Sequence, residues 1–445
     1  MKKLSNILYP KQPPILPPYN EVKDDPIKWG PYGAHDTHAF KDPKSGLYYV
    51  YSTGKGVSIR RSKDLITWEN LPPAYPYDMP DEVFKHTNSH GVWAADIHYY
   101  KSEYRLYGSV STFGSRKSAI VLLVSDNPEG PFSYRGIVLK TDDSSPVNAI
   151  DANIITDVRT GDIYMAYGSF WGGIRLIKID PDTGLAAEEG LGIEIAKRSR
   201  GVDTSIEGAY IIYNPDTDYY YLTVSYGSLF FDYNIRVARS RNITGPYIDP
   251  NGYEMTDTQA DSNKVGFMIA CGYRFFDGKG WRGPGHHSIL KDGDQWYLIH
   301  HIRPENINER YSMMHVRKLL WLENGWPVCS PEMYAGEQLC AIGEEDMVGS
   351  WERICLTPLT PQTVMSPAPQ VIYQDGTMRA GSLKGKWRMT GENKAELIQG
   401  GILESVYVLP AWDHECNRPT LVMTGMNQEG IAVWYKKRAD DLFMP

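Results

Sequence analysis

Over most of the chain, apolar and polar residues alternate in short runs bounded by Gly, Pro, Asp and Asn. A period of two predicts half-buried β-strands, because successive side chains of a strand face opposite sides. One unit recurs. An acidic or imidazole residue opens a strand, a turn follows, and a second strand rich in Tyr returns. DTHAFKDPKSGLYYVYST begins at Asp36, DIHYYKSEYRLYGSVS at Asp96, DANIITDVRTGDIYMAYGSF at Asp151, EGAYIIYNPDTDYYYLTVSYGS at Glu207 and HHSILKDGDQWYLIHH at His286. The turns DPKSG, DVRTG, NPDTD and KDGD supply hairpin chemistry, since Asp, Asn and Gly tolerate the backbone angles required. Each unit is followed by another strand pair, as in VSIRRSKDLITWENL, GIRLIKIDPDTG and MMHVRKLLWLENGWPV. Four strands and then a repeat describe a propeller blade. Successive starts lie roughly 55–60 residues apart, with the last interval longer. The chain is therefore expected to be all-β, with a five-bladed β-propeller over residues 31–335.

The first residue of each blade's innermost strand lies at one mouth of a propeller's central channel. Asp36, Asp96, Asp151, Glu207 and His286 are thus expected to converge on one small pocket. The rival reading, turn residues capping ordinary strands, leaves the carboxylates unexplained, because a strand start needs none. The long interval before His286 holds an insertion, about residues 250–283, whose Gly/Asp-rich turns read as a surface loop. Residues 1–30, with KQPPILPPYN, read as an extended segment running over the surface. Near residue 335 the pattern changes. VGSWERICLT, LKGKWRMTG, KAELIQG, ESVYVLPAWD, PTLVMTG and GIAVWYKK are short strands between Gly, Pro and Asn. Residues 336–445 are expected to form a small all-β domain, a sandwich or barrel. It carries no comparable acid cluster and serves either to pack against the propeller or to bind polysaccharide.

Composition narrows the partners. The 445 residues, 42% of them hydrophobic, suffice for one large domain and a small one. The 31 Tyr and 12 Trp serve packing or sugar stacking. A net charge of -8, with no basic run interleaved with aromatics, argues against a nucleic-acid partner, which requires a basic face. No apolar stretch of about 18 residues is present to span a membrane. The N-terminal MKKLSNILYPKQPP has two lysines but no apolar run after them. Cys271, Cys329, Cys340, Cys355 and Cys416 are scattered and form no CxxC pair, as expected of reduced thiols. A cytoplasmic location is expected, with secretion as the alternative. Nothing in the sequence fixes an oligomeric state.

Hydrolysis of a glycosidic bond needs a proton donor for the leaving oxygen and a carboxylate for water or the anomeric carbon. Two carboxyl groups must then hold different protonation states at one pH, and a third can raise the acid's pKa by like-charge repulsion. Asp36, Asp151 and Glu207 supply such a trio, and spacing alone leaves the roles open. The segments GAHDTHAF, GVWAADIHYY, NAIDANIITD, YGSFWGGIRLIKID, TSIEGAYIIY and WRGPGHHSIL, spread over residues 30–330, resemble glycoside hydrolase family 43, and within it the endo-acting α-1,5-L-arabinanases. GKWRM and TGMNQEGIAVWYKK look like the extra C-terminal β-domain of the longer arabinanases.

The resemblance implies Asp36 as general base, Asp151 as the group that tunes and orients the acid, and Glu207 as general acid. It implies inversion, with a water between base and sugar and carboxyl groups about 6.5–9.5 Å apart. His286 matches the histidine that in arabinanases holds a metal near the channel centre, usually calcium, through a mostly water-filled shell. Calcium's preference for oxygen ligands makes a structural, hydrogen-bonded His the competing reading, and the adjacent His287 leaves open which ring points inward. Trp93, Phe113 and Trp171 are expected either as aromatic platforms in the cleft or in packing between blades. Asn148 and Ser169 lie in matching motifs and are placed to bond sugar hydroxyls. Arg317 is expected to do likewise, or to pair with a channel acid. Asp96 is expected to support the site rather than react. Where the family usually has Pro, this chain has Thr37, Ala95 and Ala209; Pro there stiffens strand entries and carries no chemistry. The substrate implied is arabinan or arabino-oligosaccharide. An exo-acting α-L-arabinofuranosidase or β-xylosidase and a non-catalytic sugar-binding propeller are the alternatives, and an intact acid trio disfavours the last.

Overall fold

The computed structural model describes residues 7–16, 26–276, 278–305, 311–358 and 364–439. Within them the chain forms five four-stranded sheets, each from one contiguous stretch, and then a closed eight-stranded barrel. In every sheet the strands pair in chain order. This is the five-bladed propeller. The C-terminal unit, expected as a sandwich or a barrel, closes as a barrel: Gly349–Cys355 pairs with Ala432–Lys437, its first strand with its last.

Apolar faces of neighbouring blades make the cores. Val50 and Ala39 of blade 1 pack against Leu290 and Ile299 of blade 5, so the ring closes on itself. Blades 1 and 2 share Tyr51, Ile59, Leu106 and Val121. The stretch 250–283, expected as a surface loop, contains the fourth strand of blade 4, Phe267–Ala270. Its four residues are all buried. Its core cluster also holds Leu409 and Trp434 of the barrel, so the barrel covers an outer strand that would otherwise meet water. This strand has no polar face because neither face is solvated. The described N-terminal residues 7–16 form no helix or strand, and Ile7 packs into the barrel core.

The inner strands meet the mouth through a shared irregularity. Asp36, Ala94, Asp151, Gly208 and His286 have φ of 54°, 42°, 61°, 56° and 41°. For a non-glycine residue this left-handed conformation costs about 1 kcal/mol or more. Side chains of the preceding blade catch the exposed N–H groups. Ala94 donates to Thr53 Oγ1 (3.0 Å), Asp151 to Ser109 Oγ (2.9 Å) and His286 to Ser225 Oγ (2.9 Å). Asp36 donates to His301 Nδ1 across the blade 5–blade 1 junction, at 3.1 Å.

Blade 2 therefore presents Ala94 at the mouth, and Asp96 does not belong to the convergent set. It lies two residues further along its strand, where the other blades have His38, Asn153, Tyr210 and Ser288. Several of these side chains clasp the next blade. Asp96 Oδ2 accepts from Ile154 N (2.6 Å) and Asn153 Nδ2 (3.1 Å). Asn153 Oδ1 accepts from Ile211 N, and Ser288 Oγ from Ala39 N, both at 2.8 Å. Asp96→Ala is expected to lower the urea-unfolding midpoint by the equivalent of about 2–3 kcal/mol, since it strands buried donors. An unchanged midpoint would show that the clasp contributes nothing.

Candidate active site

A cleft of about 540 Å³ opens at the mouth of the channel, and Asp36, Asp151, Glu207 and His286 all line it. Asp36 is held from several sides. Thr53 Oγ1 donates to its Oδ2 at 2.6 Å. His35 Nδ1 lies 2.8 Å and His286 Nδ1 3.1 Å from Oδ1, and His301 Nδ1 is 3.7 Å away. Burial alone would raise this carboxyl, but His286, His35 and His301 outweigh it and hold Asp36 well below the ordinary range. Burial also depresses the His286 imidazole. At neutral pH that ring is neutral, so it stabilises Asp36 by presenting Nδ1–H rather than as a cation.

Asp151 and Glu207 are shifted the other way. Burial raises Asp151 well above the carboxylate range, and the charges of Glu207 and Asp36 add to it. Burial raises Glu207 too, opposed by hydrogen bonds from Ser169 Oγ to Oε2 (2.7 Å) and Tyr233 OH to Oε1 (2.9 Å). Gly208 N donates to Asp151 Oδ2 at 3.3 Å. The two carboxyl groups repel each other out of water, so the pair keeps one proton to higher pH than an isolated carboxyl would. One mouth thus holds an ionised carboxylate beside a carboxyl pair that retains a proton, which is the requirement for acid–base chemistry.

Trp93, Phe113, Asn148, Ser169 and Trp171 also line the cleft. Phe113 stands 88% exposed and Trp171 38%. The Arg116 guanidinium lies 5.7 Å from the Trp171 ring centre. Asn148 Oδ1 already accepts from Ser118 Oγ at 2.6 Å. Arg317 is elsewhere, and the expectation for it is corrected. It is fully buried between the Tyr273 and Trp434 rings, at the seam of propeller and barrel. It donates to His300 Nε2 (3.0 Å), Ser330 O (3.0 Å) and Tyr273 OH (2.9 Å). A side chain engaged in this way has no donor left for a sugar. Of the adjacent histidines, His286 faces the cleft, whereas His287 Nε2 lies 2.6 Å from Thr223 Oγ1.

Several contributors escaped sequence reading. His35, Thr53, Phe170 and Phe230 line the cleft, and Tyr233 and His301 support it from beneath. Phe170 and Phe230 had a usable signal. They sit in connections between a blade's second and third strands, where a hairpin turn should be polar, yet the sequence reads SFWGG and SLFFD. His301 ends the HHSILKDGDQWYLIHH unit, and nothing in that segment shows that it meets Asp36 where the ring closes.

Two arrangements offer metal-ligand atoms. His286 Nε2 is buried and has no hydrogen-bond partner among the described residues. With Nδ1–H turned to Asp36, its lone pair is free to bind a cation. His35, Asp36 and His301 offer atoms within 4.8 Å of one another, but a cation there would occupy the Asp36 carboxylate.

The model of the family described as glycosyl hydrolases family 43 matches residues 30–327, and a C-terminal lipocalin-like domain that accompanies it matches residues 331–435. The extracellular endo-alpha-(1->5)-L-arabinanase of Thermotoga petrophila is 31% identical over 90% of this chain and 92% of its own. The extracellular endo-alpha-(1->5)-L-arabinanase 2 of Bacillus subtilis is 32% identical over 88% and 91%. The crystal structure of the endo-1,5-alpha-L-arabinanase of Thermotoga petrophila RKU-1 superposes with a TM-score of 0.81 at 29% identity, over 92% of this chain and 98% of the other. These relatives overturn the expected cytoplasmic location, since both curated proteins are named extracellular. Two of the five unpaired cysteines are sealed from the medium. Cys271 and Cys329 are buried, and burial pushes their thiols up to about 12, so they are inert in an oxidising medium.

Asp151→Asn removes one of the two like charges, so the Glu207 carboxyl should lose its proton at lower pH. The basic limb of the kcat/KM profile should move down by about one pH unit; an unmoved limb would mean that the two carboxyl groups do not titrate as a pair.

Proposed function

The chain belongs to the glycosyl hydrolases of family 43, and on that premise we propose that it cleaves α-1,5-L-arabinofuranosidic bonds within arabinan and arabino-oligosaccharides, with inversion. The observation that carries the reading is the opposed behaviour of Asp36 and the Asp151–Glu207 pair in one cleft. The likeness to two named endo-arabinanases over nearly the whole chain supports the linkage and the endo action.

In this mechanism Asp36 is the base. Its carboxylate stays ionised because the surrounding imidazoles favour the charge, and it takes a proton from the water that attacks the anomeric carbon. Glu207 is the acid and gives its proton to the departing sugar oxygen. Asp151 keeps that proton on the pair until the bond breaks, by like-charge repulsion, and steadies the turn at Gly208 through its hydrogen bond. Ser169 touches the acid and lines the cleft, so it bridges the acid and the sugar. Trp93, Phe113 and Trp171 line the cleft and are the aromatic groups on which a furanose would stack, with Asn148 beside them as a hydroxyl partner.

We further propose that His286 holds a calcium ion through Nε2. The orphaned, buried nitrogen fits a ligand position, and oxygen ligands from water complete the shell that calcium prefers. Bound there, the ion supplies fixed positive charge beside the channel acids. His286 itself orients Asp36 through Nδ1.

Debranched linear arabinan incubated with the wild type should yield arabino-oligosaccharides on chromatography, and with Glu207→Ala almost none. Arabinose alone would move the reading to exo action, and undiminished hydrolysis by the variant would remove Glu207 as acid. Chelation should reduce both kcat and thermal midpoint, with recovery on calcium addition. His286→Ala should abolish that response; a response that survives in the variant would put the cation elsewhere.

A further inference from the structure

We propose that Tyr233 is the positioning residue that makes Glu207 a one-sided acid, fixing Oε1 from the protein side so that Oε2 carries the transferable proton. The proposal rests on the reading of Glu207 as the proton donor and deepens it.

The two carboxyl oxygens have unlike surroundings. Oε2 meets the Ser169 hydroxyl at 2.7 Å, a rotatable group that donates to an ionised Oε2 and can turn to accept from a protonated one, and Ser169 lines the cleft. Oε1 accepts from the Tyr233 hydroxyl at 2.9 Å, and Tyr233 is almost fully buried. A carboxyl group can rotate or exchange its proton between oxygens, which wastes half of its orientations if the substrate approaches one side only. A phenol that stays protonated ends this ambiguity, because it always donates to Oε1. Burial and the charges of Glu207 and Asp151 keep the phenol protonated far above neutral pH.

The same bond favours the transition state over the ground state. As the glycosidic C–O bond breaks, the proton moves from Oε2 to the leaving oxygen and its bonding pair stays on the carboxylate. The hydrogen bond from Tyr233 then meets a full negative charge and strengthens. A donor aimed at charge that develops during reaction contributes to kcat rather than to binding.

The ring is held as firmly as its hydroxyl. A Cβ at Gly285 would lie 2.1 Å from two carbons of the Tyr233 ring, so only glycine gives the ring its room. Its other neighbour is His301, stacked at 5.8 Å between centroids with planes 15° apart, and His301 stacks in turn on His35 at 4.3 Å. His35 and His301 are the rings beside Asp36. A continuous three-ring stack thus runs from the acid to the base. Tyr233 also ends the connection 228–232, which Asp232 closes by accepting from Ser228 N at 2.7 Å and which carries Phe230 into the cleft wall.

Tyr233→Phe keeps the stack and removes only the donor. On linear arabinan its kcat should fall about 10- to 100-fold, with KM unchanged within about twofold. On an aryl α-1,5-L-arabinotrioside whose phenol leaves without protonation, kcat should fall less than about threefold. Glu207→Ala serves as the reference and should show the same contrast more strongly. If Glu207→Ala loses both substrates alike, the acid assignment beneath the proposal falls. If it keeps the activated substrate while Tyr233→Phe loses both alike or neither, the positioning role alone is overturned. A thermal midpoint close to wild type confirms that the variant is folded.

Discussion

The site depends on one backbone constraint: each inner strand reaches the channel mouth through a left-handed residue. That residue breaks the pleat, turns its N–H outward to the preceding blade and tips the local side chains toward the axis. At Asp36, Ala94, Asp151 and His286 the conformation is strained, since a side chain is present. Thr53, Ser109, Ser225 and His301 offset the strain by accepting the freed N–H groups. The accepting groups lie in the neighbouring blade, so the geometry exists only when the ring is closed. A single blade could not hold it.

Once convergent, the groups set one another's charge. Asp36 stands among imidazoles and neutral donors, which favour its ionised form. Asp151 and Glu207 face each other out of water, which favours retention of a proton. The same chemical group therefore does opposite work within one cleft, and the difference is environmental. Hydroxyl donors keep the balance fine. Ser169 and Tyr233 stabilise the ionised form of Glu207, so the proton is retained but remains transferable.

The barrel is bound to the propeller by more than apolar contact. Thr424 Oγ1 donates to Cys329 O at 2.7 Å and Tyr407 OH to Trp321 O at 2.9 Å. Lys436 of the barrel lies 3.1 Å from Glu332 and 3.4 Å from Asp413, all three buried. Ion pairs removed from water are weak evidence for stability but demand one docking geometry. Arg317, sandwiched between Tyr273 of the propeller and Trp434 of the barrel, belongs to this seam. The charge read in sequence as a candidate sugar ligand works as a structural tie.

The sequence by itself pointed to most of the strands, to five repeating units, to the change of character near residue 335 and to the carboxylates that line the cleft. These follow from period-two burial, turn chemistry and repetition, which are local properties. It did not show the exact register between blades. Asp96 appeared to match Asp36 and Asp151, but the left-handed residue of blade 2 is Ala94, and a two-residue offset moves a side chain from the mouth into the channel. Glu207 stands one residue before its own blade's left-handed glycine, and no repeat-based alignment could reveal that. The outer strand Phe267–Ala270 looked like part of a loop because its apolar character is explained only by the barrel that covers it. His301 and Tyr233 carry no signal in their own segments. Their function arises from stacking and hydrogen bonds to residues more than twenty positions away, and only the closed tertiary ring brings such residues into contact.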